Sequence, residues 1–324
     1  MKVAIDVGYG FVKGVAGSGE RVRFPSVVAP AQELVLSDLA GREVGHLVEL
    51  RRLSGAVERY FVGELALKEG RAQAVTLDRD KHLHPYHSVL LLAAARLLGA
   101  GSSAELCVGL PVAYYRPRRE ELKRHLMGLS AEVSVDGSPA ARVSFSRVLV
   151  YPQGAGALLT AADLPESGLT VTVDVGFKTT DFVTCEVQDG KALPVSSLCG
   201  SLEVGVHTAL YLVQAAYQAR TGAPLDFTRA ERLLREGRTF FRGEELDFSR
   251  EAEMARLAAA RSIADGVLAV LGSRADEVAV YYLAGGGAEA LPQLRQMLPG
   301  RVRVLPDPTF ANALGFLKVL SGSA

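Results

Sequence analysis

The sequence predicts an α/β protein built from two domains of related design. Its 324 residues correspond to about two domains at roughly 150 residues each. Segments typical of buried strands alternate with segments typical of helices, which indicates central sheets covered by helices. A strand–turn–strand pattern near the N-terminus also recurs about half a chain later. We therefore expect each domain to present the same kind of turn.

The repeated pattern is an apolar strand, an aspartate, a glycine-containing turn and a returning strand. The first copy is KVAI followed by Asp6-Val7-Gly8-Tyr9-Gly10 and FVKGVAG. The second is LTVTV followed by positions 174–181 and FVTCEV, so the leading aspartates, Asp6 and Asp174, lie 168 residues apart. Two apolar runs joined by such a turn are typical of a β-hairpin.

Strand and helix patterns follow in order through the first half of the chain. Ala104–Leu110 predicts a buried strand ended by a proline, and positions 119–129 have the apolar spacing of a helix. Positions 141–152 predict one long strand or a strand pair, and positions 154–164 predict a helix rich in small residues. Positions 33–81 are polar and weakly periodic, so we expect an irregular subdomain there.

The second half continues the alternation. Positions 203–220 predict a strong amphipathic helix, and positions 226–272 a mostly helical region with a phenylalanine-containing interruption at 239–248. EVAVYYLAGGGAEALPQLRQML predicts a strand, a triple glycine and a helix. The C-terminal segment predicts a short strand, a proline-bounded turn and a final apolar helix.

Composition excludes several classes of protein. Lys+Arg and Asp+Glu both number 36, and this balance argues against duplex nucleic acid as a direct ligand, which requires a basic surplus. The longest nearly apolar stretch, positions 89–101, contains Arg96 and is too short to cross a bilayer. The three cysteines lack metal-ligand spacing, and a strand begins at once without a charged leader. We therefore expect a cytoplasmic protein with buried, reduced thiols and no membrane contact.

The first glycine turn has the composition of an anion-binding turn. Glycines at positions 8 and 10 let backbone N–H groups approach an anion closely and permit positive φ. Asp6, at a strand end, is placed to hold a hydrated divalent cation, and Lys13 adds a positive charge nearby. The alternative is an ordinary tight hairpin with a solvated Asp6 and Lys13.

The second turn strengthens the first interpretation. It offers Asp174 as a second strand-end carboxylate, with Thr179 and Thr180 as hydroxyl donors. Two such turns would hold a polyphosphate with Mg²⁺ between them. The triple glycine Gly285-Gly286-Gly287 follows a strand and opens a helix, where a phosphate or a flat ring can contact the backbone, although such a run is also common in simple loops. P-loop and Rossmann motifs are absent.

The order of these segments resembles that of the actin-like ATPase superfamily. The segments are D-x-G-x-G-x-x-K at 6–13, Gln153 before a helix, D-x-G-x-x-T-x-D at 174–181, G-G-G-A at 285–288 and a small-residue C-terminal helix. The details are most similar to the bacterial and archaeal actin-like proteins that include the plasmid-segregation protein ParM. VGLPVAYY, YPQGAGAL, SLCGSLEVGV and FANALGF all resemble stretches of that group. The resemblance covers essentially the whole chain.

The resemblance implies the actin-like ATPase fold, in which two RNase H-like α/β domains flank a cleft that binds ATP or ADP with Mg²⁺. Domain I would span 1–158, with the C-terminal helix at 308–324 packing back on it, and domain II would span 159–307. Asp6 and Asp174 would hold Mg²⁺ through water, with Asp174 also catalytic. The implied nucleotide contacts are Gly8, Tyr9, Gly10, Lys13, Gly176, Phe177, Lys178, Thr179, Thr180, Glu203, Gly285, Gly286, Gly287 and Ala288.

Within that set, the resemblance implies different roles. The two turns would wrap the β- and γ-phosphates, with Lys13 on the phosphate oxygens. The turn at 285–288 would border the adenosine, and Glu203 would lie near the ribose. Lys178 is an additional cation that either contacts phosphate or remains solvated. The small residues of the two helices at 154–163 and near the C-terminus would permit a close helix approach.

Gln153 is a departure from many relatives. Chaperone ATPases and ParM carry glutamate at this place, whereas conventional actin carries glutamine. Because a glutamine cannot accept a proton, Gln153 would orient the attacking water as a catalytic residue rather than act as a base. We therefore predict slow hydrolysis by the isolated subunit and faster hydrolysis on assembly. The alternative is that Gln153 is only a polar neighbour of a helix start.

The leading functional hypothesis is an ATPase that polymerises into filaments. Its partner would be itself, as a homopolymer, and it would move DNA, such as a plasmid, through a DNA-binding adaptor protein. One alternative is a small-molecule kinase of the same superfamily, for which no catalytic carboxylate beyond Asp6 and Asp174 can be placed. The other is a nucleotide-binding scaffold that does not polymerise.

Two further groups of residues have less specific patterns. His82, His84 and His87 are spaced unlike a common metal site, so we favour structural or surface roles over zinc. We expect Phe240, Phe241 and Phe248 to be core residues rather than a partner site.

Overall fold

The computed structural model describes residues 1–34, 44–52, 55–71 and 84–322. The chain divides into two compact units, of which the first contains Met1–Leu159 and Asn312–Ala324 and the second contains Thr160–Ala311. The end of the chain therefore belongs to the first unit. In the described part of the chain, no helix combines the length and the apolar character needed to cross a membrane.

The first unit is built on one mixed sheet. Its strands are β1 (Lys2–Val7), β2 (Phe11–Ala16), β3 (Arg21–Pro25), β4 (Val28–Pro30), β5 (His46–Arg52), β6 (Val57–Val62), β7 (Ala104–Leu110), β8 (Ser130–Val135) and β9 (Ala141–Pro152). Its first helices are α1 (Glu64–Glu69), α2 (Pro85–Leu97), α3 (Val112–Met127) and α4 (Ala155–Leu158). Among the described residues, the sheet order is β3-β2-β1-β7-β9-β8-β5-β6-β4.

Sequence explains the core of this unit. β1 and β7 pair in parallel and are nearly continuous apolar runs, as expected of strands buried on both faces. Residues 89–95 of α2 are all buried in the same core. This helix begins at Pro85, which suits the first helical position, and the side chain of His84 accepts the Tyr86 N–H.

The second unit, all of whose residues are described, has its own sheet. Its strands are β10 (Ser167–Val175), β11 (Thr180–Gln188), β12 (Lys191–Pro194), β13 (Gly200–Leu202), β14 (Arg238–Phe241), β15 (Glu244–Asp247), β16 (Val278–Ala284) and β17 (Val302–Val304). Its helices are α5 (Val206–Thr221), α6 (Phe227–Glu236), α7 (Ser249–Leu271), α8 (Gly287–Ala290) and α9 (Leu294–Met297). The last helix, α10 (Ala311–Ser321), belongs to the first unit from Asn312 onward. The sheet order is β12-β11-β10-β16-β17, with β13 beside β11, and β14 and β15 form a separate two-stranded sheet.

The same five-strand core occurs in both units. In the first, β3-β2-β1 is antiparallel and β1-β7-β9 is parallel. In the second, β12-β11-β10 is antiparallel and β10-β16-β17 is parallel. The repeated strand–turn–strand pattern of the sequence is therefore the first hairpin of each core, β1–β2 and β10–β11. The predicted α/β class and the repeat are confirmed.

Several predicted elements differ from the structure. Part of the segment 33–81 is regular, since β5, β6 and α1 lie in it, while positions 35–43, 53–54 and 72–83 are outside the described residues. The helix expected at 154–164 is only the four residues of α4. The helix expected at 119–129 begins earlier, at Val112. The helix predicted after the triple glycine is two short helices, α8 and α9.

The phenylalanine-containing interruption at 239–248 is the β14–β15 hairpin. Phe248 is buried, as we expected, and Phe241 is half-buried against the core. Phe240 differs from the prediction, because 66% of its surface is exposed. In a two-residue-period strand, neighbouring side chains point to opposite faces, so Phe240 and Phe241 cannot both face the core.

The cysteines and histidines have mostly structural surroundings. Cys107 and Cys185 are buried free thiols, and burial raises the pKa of each to about 12. Cys199 is half-buried, and burial raises its pKa as well. His87 is buried and His84 caps α2, whereas His82 lies outside the described residues.

Candidate functional site

The first turn places one buried carboxylate between two polar side chains. Asp6 lies near the end of β1, opposite Lys13 in the β1–β2 pairing. Lys13 Nζ lies 3.3 Å from Asp6 Oδ2, and Gln153 Nε2 donates to Asp6 Oδ1 at 2.7 Å. Asp6 is 3% exposed. Two of the sequence-predicted residues, Lys13 and Gln153, therefore converge on a third.

Close backbone approach shapes the first turn. The Gly8 N–H donates to Phe11 O at 3.0 Å, and a Cβ on Gly8 would lie 2.8 Å from that oxygen. Neither Gly8 nor Gly10 has the positive φ that we expected. Glycine is needed at position 8 because there is no room for a side chain. Ser26, which sequence reasoning missed, holds the other side of the turn through Ser26 Oγ to Gly8 O (2.7 Å) and Ser26 N to Gly10 O (2.9 Å).

Gln153 is held at the junction between β9 and α4. Its N–H donates to Leu110 O at 2.8 Å, which fixes its backbone against the end of β7. The next residue, Gly154, has φ 78°, and its N–H donates to Asn312 Oδ1 at 3.0 Å. Because the Gln153 amide nitrogen is the donor to Asp6, its Oε1 is the atom that can accept a further hydrogen bond.

The second turn repeats the first at the level of individual atoms. Asp174 is buried near the end of β10, in register with Asp181 of β11. The Gly176 N–H donates to Thr179 O at 2.9 Å, and a Cβ on Gly176 would lie 2.8 Å from that oxygen. Each of these positions is the first-turn position plus 168. The repeat seen in the sequence is therefore a repeat of turn geometry.

The two turns differ in their charged residues. Asp181 occupies the place of Lys13, and the Ser201 hydroxyl donates to its carboxylate. The cation of the second turn is Lys178, which forms an ion pair with Glu203 at 3.4 Å and is only 16% exposed. The carboxylate of Glu203 thus neutralises a cation of the turn, an arrangement that the sequence reading did not include.

The threonines of the second turn are buried. The Thr180 hydroxyl donates to Val204 O at 2.8 Å, and Thr180 is fully buried. Its hydroxyl proton is therefore used inside the protein, which differs from the donor role that we expected. Thr179 is also buried, and its carbonyl closes the turn.

The triple glycine packs against the strand that carries Asp174. Gly285 has φ 77°, and a Cβ there would overlap Val175 O and lie 2.6 Å from Asp174 Oδ1. A Cβ on Gly287 would overlap the Val175 side chain, whereas one on Gly286 would meet nothing within 4 Å. Ala288 is fully buried. The structure therefore brings the triple glycine and the second turn together, with Gly286 as the open position.

His207 is a residue of this region that sequence reasoning missed. It lies in the first turn of α5, and its N–H donates to Phe177 O at 2.8 Å. Its ring Nδ1 is 3.0 Å from the same oxygen. Since a carbonyl can only accept, the proton of the neutral ring is on Nδ1. Burial lowers the pKa of His207, and the Lys178 charge lowers it further, while the hydrogen bond to Phe177 O and the Glu203 charge act in the opposite direction.

Comparison with known proteins identifies the class to which this fold and these turns belong. Residues 4–156 match the family model for the N-terminal domain of actin-like proteins, and residues 172–296 match that for the C-terminal domain of the MreB-like archaeal actin homologue. The chain belongs to the actin-like ATPase superfamily, within its bacterial and archaeal actin-like proteins. The resemblance inferred from sequence, including the actin-like ATPase fold, is confirmed.

Three relatives illustrate the similarity. An archaeal actin homolog of Thermoplasma volcanium is 26% identical over 327 residues, which cover 97% of each chain. The subunit of a 15-stranded ParM filament from Clostridium botulinum is 25% identical, with a TM-score of 0.90 over 99% of each chain. An archaeal actin homolog in complex with ADP has the same fold, with a TM-score of 0.82, 23% identity and 99% coverage of each chain.

Proposed function

We propose that this chain is an actin-like ATPase that binds Mg-ATP through both aspartate–glycine turns and polymerises into dynamic filaments. The observation that carries the proposal is the repeated turn. Each unit has a buried aspartate at a strand end, followed by a glycine whose N–H closes a turn that has no room for a side chain. The archaeal actin homolog bound to ADP and the ParM filament support nucleotide binding and self-assembly, respectively.

The residues present fit a magnesium nucleotide. Asp6 and Asp174 supply the carboxylate oxygens that Mg²⁺ prefers, and the ion would keep several waters between itself and them. Among the described residues, no group of three or more His, Cys, Asp and Glu side chains is placed to hold a metal directly. Bound Mg²⁺ would neutralise charge on the phosphates. Lys13 and Lys178 would add to that neutralisation from the protein.

Gly286 is the position at which the backbone can approach a flat group. A side chain there would meet nothing within 4 Å, so the backbone face is not filled by the protein itself. We assign the adenosine to this position. Because the N–H groups of Gly8 and Gly176 close their own turns, we assign the phosphate contacts to the tips of the turns, at Tyr9 and Gly10 and at Phe177 and Lys178.

Gln153 would position the attacking water. Its Nε2 donates to Asp6, and this hydrogen bond fixes the orientation of the amide group. Oε1 can therefore accept a hydrogen bond from a water molecule. The amide cannot remove the proton, so the rate depends on how well the water is aligned. This predicts a slow ATPase in the free subunit, with acceleration when assembly fixes the alignment.

The cellular role that we propose is the movement or positioning of DNA, such as a plasmid, through a DNA-binding adaptor protein. The formal net charge of zero suits indirect contact with DNA, because direct phosphate binding requires a basic surplus. When the rotation between successive head-to-tail subunits does not form a closed ring, the subunits assemble into a filament. We expect the protein to act in the cytoplasm, where its free cysteines remain reduced.

Calorimetry and phosphate release with one matched pair of variants test the nucleotide site. We expect Mg-ATP to bind the wild-type protein and Asp174→Ala to lose at least about a hundredfold in turnover while it remains folded. Asp265→Ala is the control, because this aspartate is exposed on α7. Retained turnover in Asp174→Ala, or no heat with Mg-ATP in the wild type, would contradict the proposal.

ATP consumption only with an added hydroxyl acceptor would instead indicate a kinase, and binding without turnover or pelleting would indicate a scaffold.

A further inference from the structure

Four aromatic rings form a closed circuit beside the second turn. The circuit, which we call the ring cluster, consists of Phe177, His207, Tyr211 and Phe227. The ring centroids of Phe177 and His207 are 6.2 Å apart, and those of His207 and Tyr211 are 5.5 Å apart. The Tyr211–Phe227 distance is 5.8 Å, and Phe227–Phe177 closes the circuit at 6.3 Å. Such edge-to-face and tilted pairs are favourable arrangements that restrict ring motion.

The ring cluster extends from the turn to the protein surface. Phe177 belongs to the turn itself and is half-buried, as is His207. Tyr211, one helical turn further along α5, is 49% exposed, and Phe227, the first residue of α6, is 37% exposed. A displacement of the turn would therefore change the packing of two side chains that contact solvent, Tyr211 and Phe227.

The tip of the turn is fastened to the start of α5. Phe177 O accepts hydrogen bonds from both the N–H and the Nδ1–H of His207. A Cβ on Gly205 would lie 2.5 Å from the same oxygen, so the helix start fits closely around it. Lys178, the next residue of the turn, forms its ion pair with Glu203 in the segment that precedes α5. Both residues at the tip thus depend on this helix start.

We propose that His207 is a positioning residue for the second turn, and that the ring cluster transmits the position of this turn to the exposed edge formed by Tyr211 and Phe227. The inference rests on the proposed function, in which the second turn binds nucleotide. The His207 side chain fixes the Phe177 carbonyl in direction as well as in distance. Closely packed rings move together, so a shift of the turn changes the environment of Phe227.

A tryptophan reporter tests the transmission. The chain has no tryptophan, so Phe227→Trp introduces a single tryptophan, which can be excited selectively, at the exposed edge of the ring cluster. We expect Mg-ATP to shift its emission maximum at protein concentrations below assembly. Phe240→Trp is the control, because Phe240 is exposed on the β14–β15 hairpin and is not part of the cluster. No shift at position 227, or an equal shift at position 240, would overturn the inference.

Two substitutions of His207 test its positioning role. In His207→Asn, the amide Nδ2 takes the place of ring Nδ1 and can still donate to Phe177 O, whereas His207→Leu keeps apolar volume without a donor. We expect His207→Leu to weaken Mg-ATP binding about tenfold, the effect of one hydrogen bond, and His207→Asn to stay within about threefold of wild type. Equal affinities for all three proteins would overturn the role, and so would equal losses in both variants.

Calorimetry on the reporter protein distinguishes a failure of the ring-cluster inference from a failure of the proposed function. Binding of Mg-ATP without a fluorescence response contradicts the ring-cluster inference and leaves the proposed function intact. Absence of Mg-ATP binding in the wild-type protein contradicts the proposed function and, with it, the inference. Thermal unfolding of each variant, followed by circular dichroism, establishes that the proteins compared are folded.

Discussion

At the scale of single residues, Asp6 has two neighbours whose chemistry is compatible with its charge. Lys13 offers a cation and Gln153 a neutral donor. A glutamate at position 153 would place a second carboxylate at hydrogen-bond distance from the first, and two such groups cannot both be ionised without repulsion. The glutamine instead donates a neutral hydrogen bond to Asp6 Oδ1. It also keeps Oε1 as an acceptor.

Replacement of Gln153 separates water alignment from nucleotide binding. We expect Gln153→Ala to lower turnover about a hundredfold or more, because the water loses its acceptor, while Mg-ATP affinity changes by no more than about threefold. Single-turnover phosphate release and calorimetry measure the two quantities. Gln218→Ala, an exposed position on α5, is the control. A parallel loss of affinity and turnover would mean that Gln153 holds the ground state rather than the water.

Sequence reasoning located the residues whose place in the fold depends on local pattern. Asp6 and Asp174 were predictable because each ends an apolar strand and precedes a glycine turn, and both features are adjacent in sequence. His207 was not predictable, because its partner, Phe177 O, is thirty residues away and is reached only through the fold. The same holds for Thr180, whose hydroxyl is directed to Val204 by tertiary structure.

At the scale of elements, α4 and α10 approach each other through glycines. A Cβ on Gly315 would overlap the backbone of Gly156, and one on Gly156 would overlap the ring of Phe316. Phe316 is fully buried, and a Cβ on Gly109 would lie 2.6 Å from it. The small residues that we expected to permit close helix contact are therefore necessary at this place in the first unit.

One added methyl group tests this contact. We expect Gly315→Ala to lower the free energy of unfolding by about 1–3 kcal/mol, since backbone on the other side cannot move aside as a flexible side chain would. Urea denaturation measures the change. Gly17→Ala is the matched control, because a Cβ there would make only ordinary contacts at 3.7 Å. Equal stabilities of the two variants would show that α4 and α10 can separate without loss.

The ends of helices and strands were predicted correctly where a proline coincides with the end of an apolar run. Ala104–Leu110 is a strand as predicted, because an apolar run ends at a proline. The helix at 154–164 was predicted too long, because the next proline is at 165 while α4 ends at Leu158. Lys318 Nζ bonds Leu159 O at 2.8 Å, and this tertiary contact at the helix end has no local sequence pattern.

At the scale of the whole molecule, the duplicated five-strand core explains why two distant segments carry the same turn. Each core places its first hairpin next to a parallel strand, so the aspartate of that hairpin is at the carboxyl end of a buried strand. Carboxyl ends of parallel strands are where α/β sheets bind ligands. The cation of the turn comes from a different position in each unit, Lys13 in the first and Lys178 in the second.

Protein concentration tests the link between assembly and turnover. We expect the phosphate released per subunit to rise above a threshold concentration, because hydrolysis is slow until assembly fixes the water. Material that pellets with Mg-ATP, and not with Mg-ADP or without nucleotide, should increase at the same threshold. Turnover per subunit that stays constant across the threshold would contradict the coupling, even if filaments form.

The division of the chain has a consequence for its biosynthesis. The second unit is encoded as one uninterrupted stretch, whereas the first is built from two stretches on either side of it, the later of which contains Asn312 and Phe316. Because translation proceeds from the N-terminus, the second unit is complete before Phe316 is made, and the first unit still lacks the ring that packs against Gly109 and Gly156. We expect the nascent first unit to depend on protection from premature association until Phe316 has been made. Truncation shortly before Asn312 should therefore destabilise the first unit and leave the second folded.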